Sequence, residues 1–179
     1  MVHQPDHDNG VVATDEHFMH AAKLEAEQAF AEGEVPIGAV LVRDGRVVSA
    51  EHNRVEANRD ASAHAELLCM RSAAAASPQW RLSSSTLYVT VEPCPMCLAA
   101  LYAFRVDRLV YGAPNTRMGA IEGGLRPTGP PAAHPYHTLD ITGGILAGEC
   151  GELMKAFFRR RREQGPYVPP EAYDATGCD

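Results

Sequence analysis

The order of apolar patterns along this chain predicts an α/β domain in three layers, α/β/α, with helices on both faces of a mixed sheet. Three observations carry that reading. The patterns run helix, hairpin, helix, strand, helix, strand, loop, strand, helix. Asp44-Gly45 stands between two apolar runs, a strong two-residue hairpin signal. The 179 residues, 45% hydrophobic and 22% charged, suit one domain that buries a core without disulfide staples.

Each element has a local reason. Residues 1–13 are polar and pattern-free and read as a loose arm before a domain spanning 14–164. Thr14 or Asp15 can cap a first helix that carries Met19, Ala22, Ala26 and Ala29 along one face and stops at Gly33. Ile37 to Val42 and Arg46 to Ala50 are the hairpin strands. Asp60 or Ser62 can cap a second helix through Glu66, Leu67 and Met70, which Ser77-Pro78 should end. Thr86 to Val91 reads as a buried strand rich in β-branched residues. Pro95 then suits the first position of a helix from Met96 to Phe104. Arg108 to Tyr111 and Leu139 to Thr142 complete five strands, with a long loop between them that holds seven glycines and prolines from Gly123 to Pro135. Leu146, Cys150, Leu153 and Phe157 describe a last helix with one apolar stripe. From Gly165 the tail reads as frayed.

The bulk properties exclude several classes. A net charge of −7 argues against a protein that coats nucleic acid nonspecifically. The charge is nevertheless polarised, because Lys155 and Arg159 to Arg162 place five of the sixteen basic residues in eight positions. The longest apolar run, Cys97 to Val106 with Arg105 inside it, is too short for a bilayer, and no basic-then-apolar signal opens the chain. Five cysteines with a single close pair fit a reducing compartment. The expectation is a soluble intracellular protein with no membrane partner and no organic cofactor.

Two segments carry chemistry. His64-Ala65-Glu66 lies near the start of the second helix, and Pro93-Cys94-Pro95-Met96-Cys97 lies at a strand-to-helix junction. Cysteines three apart on a first helical turn point the same way, and a helix amino terminus favours their thiolates. Zinc takes thiolate and imidazole, and His64, Cys94 and Cys97 as three protein ligands would leave a fourth position for water. Glu66 then stays off the metal as acid and base. This order is the H-x-E…P-C-x-x-C pattern of zinc deaminases acting on nucleobases. A structural zinc site with four protein ligands is the serious alternative, and a redox pair is the other reading of C-x-x-C. His134 and His137 read as solvent histidines in a Pro-rich loop, and Cys69 and Cys150 as small core residues. The arginine cluster reads either as a solvated helix end or as an RNA contact.

The chain resembles the bacterial and organellar tRNA adenosine deaminases of the TadA type, within the cytidine-deaminase-like superfamily. The resemblance rests on Glu34 to Val42, Asn53-Arg54, Asp60 to Glu66, Trp80-Arg-Leu82, Thr86 to Cys94, Ile141 to Ala147 and Phe157-Phe158-Arg159, and spans roughly Phe18 to Arg162. It implies a cytidine-deaminase-like fold with a central mixed five-stranded sheet, one zinc ion per chain, a homodimer, and conversion of the wobble adenosine of a tRNA anticodon stem-loop to inosine. It also implies that Asn53 hydrogen-bonds the base, Ala65 supplies a main-chain contact, and the loop around Asn115 touches flanking nucleotides. With the terminal cluster counted as RNA-binding, Arg159, Arg161 and Arg162 complete the expected contacts. Asn115 stands where bacterial members usually carry Asp, which with the long Leu125 to His137 loop resembles plastid members. The expected compartment is therefore the cytoplasm or the plastid stroma. Two rivals remain: a deaminase of a free nucleobase or nucleoside, and a noncatalytic zinc-containing RNA-binding subunit, against which the presence of Glu66 argues.

Overall fold

The computed structural model describes residues 9–125 and 137–165. The elements in order are α1 (Asn9–Glu32), β1 (Gly38–Arg43), β2 (Arg46–His52), α2 (Val55–Asn58), α3 (Ala65–Ala75), β3 (Ser85–Val91), α4 (Pro95–Phe104), β4 (Arg108–Ala113), β5 (Asp140–Gly143) and α5 (Ala147–Glu163). The five strands form one sheet in the order β2-β1-β3-β4-β5. β1 pairs antiparallel with β2 and β3, whereas β3, β4 and β5 run parallel. The expected mixed five-stranded sheet is what forms.

Asp44 and Gly45 sit at φ of 51° and 69°, the left-handed pair that a tight two-residue hairpin demands. Alternation along the strands then feeds two cores. Ala39, Leu41, Leu87, Val89 and Leu109 pack on one face with Cys69, Met70 and Leu101 of α3 and α4. Val40, Val42, Tyr88 and Val110 pack on the other face with Phe18, Met19 and Ala22 of α1 and Cys150 of α5. Both faces are therefore covered, as a sheet with parallel central strands requires. Cys69 and Cys150 are core residues, as expected.

The differences from expectation concern helix starts and side-chain partners. α1 begins at Asn9, ahead of Thr14 and Asp15. Asp15 lies inside the helix because its carboxylate is taken sideways. Both Nη atoms of Arg108 donate to it at 2.8 Å, and the Tyr88 hydroxyl donates to it at 2.8 Å. α3 begins later than Asp60 or Ser62 would have it, with His64 as its N-cap. Asp60 instead accepts bonds from the Ser62 main-chain N–H at 2.8 Å and the Ser62 hydroxyl at 2.7 Å, closing a local turn. The four-residue α2 was not expected. Its amino end is satisfied by Glu34, which accepts the Ala57 N–H at 2.8 Å. His137 is no solvent histidine, since its Nε2 lies 2.6 Å from the Val106 carbonyl. His134 and Cys178 lie outside the described residues.

Arg160 fastens the end of α5 to α1. Its Nη2 donates to the Phe30 carbonyl at 2.9 Å, and its guanidinium lies 4.2 Å over the Phe30 ring. Phe157 packs edge-on against the same ring at 5.8 Å.

The Asp15–Arg108 pair makes a prediction about stability. Burial works to raise the Asp15 carboxyl, but the hydrogen bonds from Arg108 and Tyr88 outweigh it and hold the group below its ordinary value of 3.8. A carboxyl lowered in the folded state stabilises above that ordinary value, and the contribution is lost as pH falls through the folded value. Asp15→Asn should cost about 2 kcal/mol at pH 7, given a buried carboxylate and a partly exposed arginine. Urea denaturation should show the gap to wild type closing as the pH is taken from about 5 to about 2.

Candidate metal centre and active site

The site is assembled where two helices begin. α4 follows β3 after only Glu92-Pro93-Cys94, so Cys94 becomes its N-cap and Cys97 its third residue. α3 begins directly after His64, its own N-cap. The carbonyls of the two caps accept the first helical bonds, from Leu68 N–H to His64 and from Leu98 N–H to Cys94, each 2.9 Å. Neither helix start carries a side-chain cap hydrogen bond. A capping side chain is ordinarily worth about 1 kcal/mol, so both helices forgo that stabilisation and leave imidazole and thiol free for something else.

Those side chains converge. His64 Nδ1 lies 3.7 Å from Cys94 Sγ and 3.6 Å from Cys97 Sγ, and the three donor atoms all lie within 4.8 Å of one another. Bond lengths of about 2.0 Å to nitrogen and 2.3 Å to sulfur in a tetrahedral zinc site would put nitrogen and sulfur roughly 3.5 Å apart and the two sulfurs roughly 3.8 Å apart. The donor set and its spacing fit zinc.

The electrostatics point the same way. The Cys94 thiol is pulled down to about 4, first by the hydrogen bond from Cys97 and then, against burial, by His64. Cys97 is pushed up by the charge and hydrogen bond it meets at Cys94 and by burial. Two facing thiols share one negative charge unless a cation takes both as thiolates. Two helix amino termini add positive potential at the same point.

Glu66, the second residue of α3, is 3% exposed, and its Oε2 is buried with no hydrogen-bond partner among the described residues. Burial raises its carboxyl above the usual value, opposed by its own main-chain N–H and by His64. Asn53 is the second orphan. Its Oδ1 is buried and without a partner among the described residues. The backbone around it is fixed on two sides, by Asn53 N–H to the Ile37 carbonyl and Arg54 N–H to the Ala63 carbonyl, each 3.0 Å. The second bond ties this segment to the residue just before His64. Buried polar atoms without partners are rare and usually await a ligand or water.

Ala65 is fully buried at the first position of α3. Asn115 is half-buried in the loop after β4, where its side-chain carbonyl accepts the Met118 N–H at 3.0 Å. Arg159 and Arg162 are exposed and Arg161 half-buried on the last turns of α5. The sequence reading missed Glu92. It is 2% exposed and accepts four main-chain hydrogen bonds from the loop that carries Asn115. Its place directly before Pro93-Cys94 was the available signal.

Comparison with known proteins agrees with this chemistry. Residues 12–113 match the family described as the cytidine and deoxycytidylate deaminase zinc-binding region. The chain is 45% identical over 146 residues to a tRNA-specific adenosine deaminase of Agrobacterium fabrum, covering 82% of this chain and 95% of that protein. It is also 45% identical over 161 residues to a chloroplastic tRNA(adenine(34)) deaminase of Arabidopsis thaliana. That match covers 82% of this chain but only 12% of the much longer plant protein. Among solved structures, a tRNA:A34 deaminase studied for A-to-I editing at the wobble position matches with a TM-score of 0.71 at 45% identity. The match covers 76% of this chain and 98% of that one.

Removal of one ligand tests the metal assignment. Cys94→Ala should take bound zinc from one per chain to below about 0.1 by elemental analysis, because two ligands hold the ion too weakly to survive a chelator. Cys69→Ala, a core change only, should leave the zinc content at one.

Proposed function

The chain belongs to the tRNA-specific adenosine deaminases of the zinc-binding cytidine deaminase family, and on that premise we propose that it hydrolyses the wobble adenosine of a tRNA anticodon to inosine. The observation that carries the reading is the buried Oε2 of Glu66, without a hydrogen-bond partner among the described residues, on a carboxyl that meets His64 and Cys97. His64, Cys94 and Cys97 would hold a zinc ion, whose Lewis acidity would lower the pKa of water toward neutrality. Glu66 moves the protons. Its carboxylate takes one from the attacking water and delivers it to N1 of the purine as the oxygen adds at C6. It then carries the second proton to the departing amino group, which leaves as ammonia. Burial raises this carboxyl above its ordinary value, the direction a proton carrier needs.

The other residues bind. Asn53 Oδ1, without a partner among the described residues, would accept from the base, and the main chain at Ala65 would supply a further contact. Asn115 orders the loop facing the neighbouring nucleotides. The exposed Arg159 and Arg162, with Arg161, contact phosphates, while Arg160 is occupied at Phe30. The RNA would thus meet a local basic patch on a chain whose net charge is −7. We assign a homodimer as the working form. Equal 45% identity to a chloroplastic and a bacterial relative fits either the plastid stroma or the cytoplasm. No helix among the described residues is long and apolar enough to cross a membrane.

The test sets zinc-loaded protein against an anticodon stem-loop with A34 and, in parallel, against free bases and nucleosides. Inosine should form in the stem-loop alone; ammonia from a free base with the RNA untouched would overturn the substrate. Glu66→Gln should keep one zinc and its fold while turnover drops by about 10³-fold. Arg159→Ala with Arg162→Ala should weaken RNA binding and flatten its salt dependence. The slope of log K against log salt should fall by about 0.7–0.9 for each phosphate that the variant no longer neutralises.

A further inference from the structure

Glu92 is anchored more heavily than any other carboxylate among the described residues, and the metal centre does not need it as a ligand. Its Oε2 accepts the Asn115 N–H at 2.9 Å. Its Oε1 accepts the N–H groups of Ile121 at 2.8 Å, Glu122 at 2.6 Å and Gly123 at 3.0 Å. One buried side chain therefore closes the segment 115–123 around a single negative charge.

The same segment is locked to the zinc-ligand strand end by a separate bond, Ala120 N–H to the Pro93 carbonyl at 3.0 Å. Its interior leaves no slack. A Cβ built on Gly119 would overlap the Glu92 carboxylate. The outward side is different, because Thr116, Arg117 and Met118 are exposed. A cation and a thioether on a rigid loop beside the metal centre suit phosphate and base faces. A loop held this firmly from beneath has its outer residues placed before any substrate arrives, which lowers the ordering cost of binding.

We propose that Glu92 is the positioning residue for RNA recognition in this enzyme: its carboxylate, by gathering four main-chain N–H groups, fixes the 115–123 loop in register with the Cys94–Cys97 ligands so that the loop binds the nucleotides flanking the target. The inference rests on the tRNA reading above. Glu92 touches neither substrate nor metal and acts only through the loop.

The experiment is a double-mutant cycle in zinc-loaded full-length protein, read as KM and kcat on the A34 stem-loop with zinc content measured in parallel. Glu92→Gln replaces one acceptor oxygen with an NH2 group facing N–H donors. Gly119→Ala drives a methyl into the same contact from the loop side, away from the ligand cysteines. Each should raise KM about tenfold with kcat within about threefold and zinc at one per chain, and the double variant should be no worse than either single one. If Glu92→Gln does not fold, Gly119→Ala carries the same expectation alone. A fall in kcat or in zinc content for Glu92→Gln, with Gly119→Ala like wild type, would show that Glu92 merely supports the metal strand and would overturn the proposal. So would two variants equal to wild type. A wild type that ignores the stem-loop but deaminates a free base removes the tRNA reading and this inference with it, and so differs from a failure of Glu92 alone.

Discussion

Two helices begin beside the same strand end, and each gives its N-cap side chain to a metal-binding group instead of to its own backbone. That exchange is the constraint around which the molecule is arranged. His64 must leave the loop in an extended conformation at φ −75° and ψ 147°, and Cys94 must do the same at φ −74° and ψ 169°, for their side chains to meet. Three donors within 4.8 Å then hold positions that neither helix could specify alone. Two thiols and an imidazole in one place repel or compete for protons without a cation, so the energetic logic of the site is complete only with a metal.

The sheet supplies the rigidity this arrangement needs. β3 lies at its centre, paired antiparallel with β1 on one side and parallel with β4 on the other. Both faces of the central strands are buried, so β3 delivers Glu92, Pro93 and Cys94 from a fixed platform. β2, paired with β1, ends just before Asn53, whose buried Oδ1 has no partner among the described residues and whose neighbour Arg54 bonds Ala63, next to His64. The loop after β4 returns to Glu92. Four separate chain segments are thus referred to one strand end, which gathers the His64, Cys94 and Cys97 group, a buried carboxylate, a buried amide oxygen and a loop with an exposed rim.

Much of this was legible in the sequence where the signal is local. Asp44-Gly45 fixed the hairpin through backbone sterics, Pro95 marked the start of α4, and the spacing of His64, Glu66, Cys94 and Cys97 marked the chemistry. What escaped depended on partners distant along the chain. Asp15 looks like a cap because it precedes an apolar stripe, but Arg108, 93 residues away, claims its carboxylate. Asp60 looks like a cap for the same reason, although Ser62, two residues on, draws its carboxylate into a tighter turn and leaves the cap to His64. Glu92 reads as one acidic residue before a proline, and only the return of residues 115–123 reveals its four bonds. Arg160 sits in an arginine run whose members are identical in sequence, yet Phe30 alone decides that this one is structural.

The proposed chemistry turns on a metal held by His64, Cys94 and Cys97, with one position open and Glu66 off the metal. Crystals of the zinc-loaded protein, with the ion located by anomalous scattering at the zinc edge, test this most directly. The expected result is one zinc within about 2.0 Å of His64 nitrogen and about 2.3 Å of the Cys94 and Cys97 sulfurs, a solvent oxygen in the fourth place, and Glu66 facing that oxygen. A fourth side chain on the metal, or Glu66 itself as a ligand, would make the site a structural one and contradict the catalytic role assigned to it.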